Sequence, residues 1–372
     1  METIKAAQIT CTVYRSFTSK ALGALKALGV REYHFQASRA VVLRRKAGFL
    51  GIGAGIGLEE QPADKIILHV PDGAAETVLQ GLSAACGLHV PGHGSAVSEE
   101  VAVVAGSAWE AGLLTPLAGA EQIAVQGDLA SITCTVQRGR GNNLVKAVLG
   151  LGMPMPQVTA GEGTGLRDKL GLIRVALPAE KDVVHAVVAG HEAADILGAL
   201  IDAGRLDRFG AGFIYSSPLD RGVLNNMVIR GQRHSASIEQ IIAAVDDLKG
   251  SPDWRKRALE GGEKGARKRS YLENLVNLTL VCNEGRASDL VHAAMAAGAS
   301  GATISRLSHV RIDGAANSVS PAREISELII GEGVVSAIVE ALEGAGVFDG
   351  ETAGTVALKP VSLAFTHQRG RR

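Results

Sequence analysis

Hydrophobic and polar residues alternate over many short stretches of this chain, and apolar residues recur at helical spacing between them. The pentapeptide "ITCTV" occurs at Ile9–Val13 and again at Ile132–Val136, and each copy predicts a β-strand. A polar stretch and an apolar helical segment that ends in glycine follow both copies. A third, diverged copy, "LTLVCNE", begins at Leu278 and is followed by the same pattern. The sequence therefore predicts three related units.

The second unit shows the predicted order of elements most clearly. "ASITCTV" predicts the first strand, and a helix follows over Leu144–Leu151, with Asn142 or Asn143 as its N-cap. "PQVTAGEGTG" and "KLGLIRVALP" predict the second and third strands, "DVVHAVVAGHEAADILGALIDAG" one long helix, and "FGAGFIYSSPL" the fourth strand. The order β-α-β-β-α-β is the ferredoxin-like arrangement, and the other two units repeat it. In unit one, "AAETVLQGLSAACGL" predicts the second helix and "GSAVSEEVAVV" the fourth strand.

The predicted fold class is therefore α+β, with three tandem ferredoxin-like (β-α-β-β-α-β) repeats. The predicted units cover residues 1–120, 121–225 and 275–372. An insert at 226–274 separates the second unit from the third, and it contains one amphipathic helix with Ser237 and Gln240 as a capping box. A long glycine-rich loop, at about 44–64, is predicted in the first unit, and the third unit ends in a basic tail.

Composition limits the class of partner and the cellular compartment. The chain has 38 Lys plus Arg and 38 Asp plus Glu, so no overall field favours nucleic acid or an anionic membrane. The basic clusters at Arg255–Arg269 and at the end of the chain contain no interleaved aromatic residues, which favours a solvated linker and tail. Four scattered cysteines, without zinc spacing, predict a reduced, cytoplasmic protein. We expect no signal peptide and no membrane span.

Two further stretches carry a family resemblance. "GASGATIS" (Gly298–Ser305) resembles the turn and second strand of the nitrogen-regulatory PII signalling proteins, and "GMPMPQVTAGEGTGLR" keeps the same register in the second unit. The ends of the second and third units are similar to the family's fourth strand. The resemblance implies three PII-like repeats folded as a single-chain pseudo-trimer. It also implies a signalling function, with a small anionic effector such as ATP or ADP bound in the clefts between repeats.

The resemblance assigns ligand-binding positions residue by residue. The assigned residues are Gly163, Gly165, Arg167, Arg205, Gly210, Gly212 and Thr303. The first two glycines stand at the base of the family's mobile T-loop, Thr303 at its adenine-side threonine, and Gly210 and Gly212 in its glycine B-loop. Arg205 stands where the family has a lysine. Arg167 replaces the glutamine that is linked to the metal in the family, and this argues against 2-oxoglutarate with Mg²⁺.

Units one and three share a pattern of one serine and two arginines on or just after the second strand. The residues are Ser38, Arg39 and Arg44 in unit one, and Ser305, Arg306 and Arg311 in unit three. The arginines could bind an anion or could be solvated strand residues, and the sequence leaves both open. His93, beside the glycine loop of unit one, could hold a metal or phosphate or be structural. His185 and His191 are placed on a helix and predicted to be structural.

The expected function is that of a regulatory protein, not an enzyme, which contacts a protein partner through the loop of unit one. One alternative is a three-unit hydrolase similar to the ring-opening amidohydrolases, which use a serine–lysine pair in each unit. Ser38 and Ser305 match this pattern, but unit two offers Ala160–Gly161 at the same position. A metal-tolerance relative is a third alternative, although paired Cys or His ligands are absent. Further assembly of the pseudo-trimer stays open.

Overall fold

The computed structural model describes residues 1–46, 55–109, 114–117, 122–164, 179–225, 246, 269–312 and 320–367. The strands in this part are β1 Thr3–Tyr14, β2 Glu32–Lys46, β3 Gly55–Pro71, β4 Gly94–Val104, β5 Gln126–Gln137, β6 Gln157–Gly163, β7 Glu180–Ala189, β8 Gly212–Val223, β9 Leu275–Asn283, β10 Thr303–Arg311, β11 Ala322–Gly331, β12 Thr355–Val361 and β13 Leu363–Thr366. The helices are α1 Thr18–Ala27, α2 Ala75–Cys86, α3 Gly141–Gly150, α4 Ala193–Gly204, α5 Ala287–Ala296 and α6 Val335–Gly344.

All these strands belong to one antiparallel sheet that closes on itself. Ten of them form a closed barrel in the order β10-β11-β9-β12-β4-β8-β5-β7-β6-β2, with β2 pairing back to β10. β3 pairs with β2, β1 pairs with β3 and β4, and the two strands thus form a second connection between β2 and β4. β13 pairs with β8. Among the described strands, closure leaves few unpaired edges, which are the usual liability of an open sheet.

The predicted fold class is wrong. The β-α-β-β-α-β order does occur three times along the chain. However, the architecture is a closed antiparallel barrel dominated by strands, with short helices, and not three ferredoxin-like α+β repeats in a pseudo-trimer. Hydrogen bonds continue from one predicted unit into the next, as in the pairs Ala96↔Val223 and Ala357↔Val103. Composition and hydrophobic periodicity predict single strands and helices. They carry no information about which distant strands pair. The domain boundaries stay predictions.

The two faces of the sheet bury different kinds of residue. Along β1, Ile9, Cys11 and Val13 pack in an apolar core with α1 and α2. The alternate residues of the same strand, Thr10 and Thr12, face the barrel interior. β5 with α3 and α4, and β9 with α5 and α6, build two further apolar cores in the same way. The helices therefore cover the apolar outer face of the sheet, and the polar face is turned inward.

Two local predictions in the second unit are also wrong. The segment that predicted one long helix forms β7, a short 3-10 turn at Gly190–Glu192, and then α4. β7 pairs with β5 on one side and β6 on the other, so its backbone groups are satisfied as a strand. The N-terminus of α3 has no asparagine cap. Instead, Oδ2 of Asp182 accepts hydrogen bonds from the backbone N–H groups of Gly139 and Gly141, at 2.8 and 3.1 Å.

The predicted loop of unit one is shorter than expected. β2 extends to Lys46 and β3 starts at Gly55, and Arg44 pairs with Gly57 across these strands. Only residues 47–54 lie between the strands, outside the described residues. The predicted strand "KLGLIRVALP" and the capping box of the insert also lie outside them. Among the helices in the described ranges, none is long and apolar enough to cross a lipid bilayer.

Candidate functional site

The barrel encloses a cavity of about 100 Å³, which we call the barrel cavity. Its lining comes from ten strands and from the loop residues Pro154, Met155, Leu224 and Asn225. The ionisable side chains of the lining are Lys65, Glu99, His185, Tyr215, Glu327 and Lys359. Hydroxyl, amide and apolar side chains make up the rest, so the cavity wall mixes polar and apolar surface in similar amounts.

A threonine from each copy of the repeated strand faces the barrel cavity. These residues are Thr10, Thr133 and Thr279. Their cross-strand partners on β3, β7 and β11 are three different residues: Ile67, His185 and Glu327. The residue opposite the equivalent threonine is therefore apolar in one unit, an imidazole in the second and a carboxylate in the third. The ionisable groups of the barrel cavity are thus not arranged symmetrically.

Lys359 and Glu99 form an ion pair in the cavity wall. Lys359 Nζ lies 3.0 Å from Oε1 of Glu99, and the two side chains are only 9% and 11% exposed. Gln8 Nε2 donates a second hydrogen bond, of 2.6 Å, to the same carboxylate oxygen. Each buried charge therefore has a close partner of opposite sign, as buried charges require.

Lys65 has a different environment. It lies on β3 between Thr12 of β1 and Gln36 of β2, and it lines both the barrel cavity and an adjoining cavity of about 10 Å³. Among the described residues, no side chain lies within hydrogen-bond or ion-pair distance of its ammonium group. Burial lowers the pKa of Lys65, and the charge of Glu327 is the strongest opposing effect. Glu327 lines the same two cavities.

Tyr215 and His185 supply groups that can donate or accept a proton. Burial, and then the negative charge of Glu327, raises the pKa of Tyr215 well above its ordinary value. Asn277 Nδ2 donates a hydrogen bond of 3.2 Å to the Tyr215 hydroxyl. Burial, and then the charge of Lys65, lowers the pKa of His185 well below its ordinary value. At neutral pH the tyrosine is therefore protonated and the imidazole is neutral.

Three polar atoms in the lining lack a hydrogen-bond partner among the described residues. They are Oγ of Ser217, Oδ1 of Asn277 and Oγ1 of Thr279, and each is buried. Native proteins pair nearly all such atoms, with protein groups, water or a ligand. The volume of the barrel cavity matches about three water molecules. Each of these atoms has less than 1 Å² of accessible surface, so a rotation of its side chain must come before any contact with water or a small bound molecule in the cavity.

The structure brings three of the predicted ligand-binding residues together. Thr303 and Ser305 both line the small adjoining cavity, and Gly163 pairs with Thr303 across β6 and β10. Ser305 Oγ donates a hydrogen bond of 2.9 Å to the Ala160 carbonyl oxygen. A Cβ at Gly161 would lie 2.9 Å from Ser305 Oγ, so this junction needs a glycine. Gly165 and Arg167 lie outside the described residues.

The serine and arginine pattern of units one and three does not form a common anion site in the described structure. Arg39 forms an ion pair with Glu60, and Arg44 Nε lies 3.5 Å from Glu59. Arg306 is 86% exposed and lies 3.9 Å from Glu284. The remaining members of the pattern have separate positions: Ser38 Oγ donates to the Ala63 carbonyl at 3.2 Å, and Arg311 lies opposite Glu32 on β2.

The remaining predicted residues have structural contacts. Arg205 follows α4 in the left-handed conformation. Gly210, in the turn before β8, has a φ of 69°, and Gly212, the first residue of β8, has a φ of 155°. His93 Nδ1 lies 2.9 Å from the Cys86 carbonyl oxygen, and its ring packs on Phe17 with centroids 4.3 Å apart. No group of three or more His, Cys, Asp or Glu residues within the described ranges is arranged to hold a metal ion.

The sequence interpretation missed the six ionisable residues of the barrel cavity. The sequence pattern places His185 on a helix, and the other five residues lie on strands without a motif that marks them as a site. The available signal was a lysine or glutamate at a polar position of a predicted strand, as in "DKIILHV" and "VSEEVAVV". Comparison of the sequence with protein-family models and with curated proteins gives no match.

Proposed function

We propose that this protein binds a small polar molecule in the barrel cavity and acts as an effector-binding regulatory protein. The observation that supports this most directly is the set of three unpartnered polar atoms, on Ser217, Asn277 and Thr279, in a cavity lined with ionisable groups. A core that served only for stability would be expected to satisfy or avoid such atoms.

The size of the barrel cavity limits the effector. An apolar cavity of about 150 Å³ in another protein holds benzene, so at the same ratio a cavity of about 100 Å³ holds about four non-hydrogen atoms. Pockets for larger ligands have volumes of about 300–1,000 Å³. ATP or ADP is therefore not part of this proposal for the barrel cavity. Nucleotide binding elsewhere on the molecule stays a prediction from the family resemblance.

The charges of the lining indicate the chemistry of the effector. Lys359 and Glu99 neutralise each other at 3.0 Å. Lys65 has no such close partner among the described residues, and it can donate to an oxygen of the ligand. Glu327 can accept from a donor of the ligand or bind its proton. A small molecule with a carbonyl or carboxylate oxygen fits these groups, in agreement with the expected anionic effector.

Isothermal titration calorimetry with formate, acetate, bicarbonate, glyoxylate, pyruvate and urea tests the proposal. We expect at least one of these probes to bind the wild type, and Thr279→Val to weaken binding by about tenfold, because one hydrogen bond is lost. Ser326→Ala is the matched control. Ser326 also has a buried, unpartnered hydroxyl on β11, but it does not line the barrel cavity. Equal binding by both variants, or no binding of any probe, would contradict the proposal.

One observation favours the hydrolase alternative. Ser305, a candidate nucleophile, lines the same small adjoining cavity as Lys65. The Ser305 hydroxyl donates to a backbone carbonyl, however, so it would have to rotate before a base could accept its proton. Release of a ring-opened product from a cyclic amide by the wild type, and its loss in Ser305→Ala, would establish this second function.

The location and the protein partner remain part of the proposal. The four cysteines are all buried and unpaired, which supports a reducing, cytoplasmic location. The loop proposed to contact a protein partner, at about 44–64, lies partly in β2 and β3, and its remaining residues, 47–54, lie outside the described residues.

A further inference from the structure

We propose that Lys65 forms an imine with a small carbonyl compound, an aldehyde or a 2-oxo acid, bound in the barrel cavity, with Glu327 as the group that transfers protons. This inference rests on the proposed function, because it assigns a chemical class to the molecule that occupies the same cavity.

The first argument is the accessibility of the Lys65 amine to a ligand. Lys65 lines the barrel cavity and the adjoining cavity, and within the described part of the chain no carboxylate lies within 4.0 Å of it. Lys359 lies in the same lining, but its nitrogen forms an ion pair with Glu99 at 3.0 Å. Of these two lysines, only Lys65 can turn its nitrogen toward a bound carbonyl carbon without breaking an ion pair.

The second argument is the protonation state of that amine. Only a neutral amine has the lone pair that attacks a carbonyl carbon. Burial lowers the pKa of Lys65, and the positive charge of Lys359 acts in the same direction. Glu327 and Glu99 oppose both effects. The lysine therefore sits in a low-dielectric, mixed-charge environment, which is the kind that activates buried lysines as nucleophiles.

The third argument is the position of Glu327. This carboxylate lies on β11 opposite Thr279 of β9 and Thr303 of β10, at the junction of the two cavities. Its charge acts on both the Lys65 amine and the Tyr215 hydroxyl. Because the Lys65 nitrogen lies beyond 4.0 Å from this carboxylate, proton transfer between them runs through one bridging water molecule in the cavity, and the protonated tyrosine can donate to the oxygen that develops charge.

The reaction balances without an oxidant or a reductant. The nitrogen lone pair of Lys65 attacks the carbonyl carbon, a C–N bond forms, and the carbonyl π pair moves to oxygen, which takes a proton from the Tyr215 hydroxyl. The nitrogen gives a proton to Glu327 through the bridging water, which leaves a neutral carbinolamine. Glu327 then protonates the carbinolamine hydroxyl, the C–O bond breaks, and water departs as the C=N bond forms. The last N–H proton returns to the Tyr215 phenolate, which gives the neutral imine and restores both side chains. The net change is amine plus carbonyl to imine plus water.

Reductive trapping tests the inference on the full chain. The protein is incubated with glyoxylate or with pyruvate and treated with sodium borohydride, and the modified residue is identified by peptide mass spectrometry. We expect one main adduct, at Lys65, with much less at the exposed Lys5. Lys65→Met and Lys65→Arg should both lose this adduct, and Lys65→Arg keeps the positive charge. Glu327→Gln should slow trapping by roughly a hundredfold, because proton transfer is impaired.

The outcomes separate this inference from the proposed function. Glyoxylate or pyruvate that binds by calorimetry but is never trapped on Lys65 would overturn the imine and leave the binding function intact. Absence of both binding and trapping would overturn both. An adduct that persists in Lys65→Met, or that forms equally at Lys5, would also overturn the imine. Circular dichroism spectra and thermal midpoints establish that each variant is folded, and Ser326→Ala should be trapped at the wild-type rate.

Discussion

The ion pair between Lys359 and Glu99 allows a quantitative prediction for the barrel interior. Lys359→Met removes one partner of a pair whose side chains are 9% and 11% exposed, and leaves the Glu99 carboxylate with the Gln8 amide as its hydrogen-bond donor. Breaking a buried pair in this way typically costs about 3–5 kcal/mol. The remaining hydrogen bond from Gln8 reduces this, so we expect a loss of about 3 kcal/mol in the free energy of unfolding.

Urea denaturation followed by circular dichroism, at neutral pH and without added ligand, measures this loss. The surface control is Lys5→Met. Lys5 is 60% exposed and lies 3.3 and 3.4 Å from Asp72 and Glu100, so its loss should cost less than about 1 kcal/mol. The double variant Glu99→Gln/Lys359→Met should recover to within about 1 kcal/mol of the wild type, because no unpaired charge remains.

Two results would refute this reasoning. If Lys359→Met costs no more than Lys5→Met, water reaches the barrel interior as freely as it reaches the surface. If the double variant is as unstable as the single variant, the loss reflects altered packing and not an unpaired carboxylate.

Three further predictions concern other parts of the molecule. Burial, and then the charge of Lys359, lowers the pKa of His69 from 6.5 to about 4, so the unfolded chain binds a proton that the folded protein does not. His69 alone should therefore remove about 3 kcal/mol of stability as the pH drops from about 6.5 toward about 4, and His69→Gln should abolish this contribution when urea titrations are compared across that range. Asp182→Ala should lower the free energy of unfolding by about 1–2 kcal/mol in thermal denaturation, because it removes the hydrogen-bond acceptor at the start of α3. Asn143 is exposed, and Asn143→Ala should change this free energy by no more than about 0.5 kcal/mol. Gly212→Ala should cost about 1–3 kcal/mol by the same measurement, because φ is 155° and the new Cβ would lie 2.5 Å from a carbonyl oxygen. In the control variant Gly73→Ala the new Cβ meets no atom within 4 Å, so its stability should be nearly unchanged.

Local pattern predicted many single elements correctly. The alternation in "GSAVSEEVAVV" matches β4, Gly94–Val104, and the helical spacing after Ala74 matches α2, Ala75–Cys86. Both segments bury one apolar face, which is the property that periodicity reports. The segment from Asp182 to Gly204 failed because the apolar residues of β7 run without interruption into those of α4, and neither spacing nor propensity separated them.

The candidate site could not be predicted in this way. Thr10 and Thr133 occupy polar positions of alternating strands, and such positions face water in most antiparallel sheets. Here closure of the sheet encloses them, and closure depends on pairings such as β2 with β10, between residues far apart in the chain. The PII resemblance directed attention to the loops at the ends of the strands. The lysines and glutamates of the barrel cavity lie instead in the middle of the strands.

The inward polar face of the sheet has a thermodynamic consequence. When a protein unfolds, exposed apolar surface raises the heat capacity, and exposed polar surface lowers it. Opening this barrel would expose the threonines, amides and charged side chains of its interior together with the three apolar cores. The heat-capacity change per residue should then lie below the usual range of about 12–15 cal/mol/K, and the stability curve should be correspondingly flat across temperature.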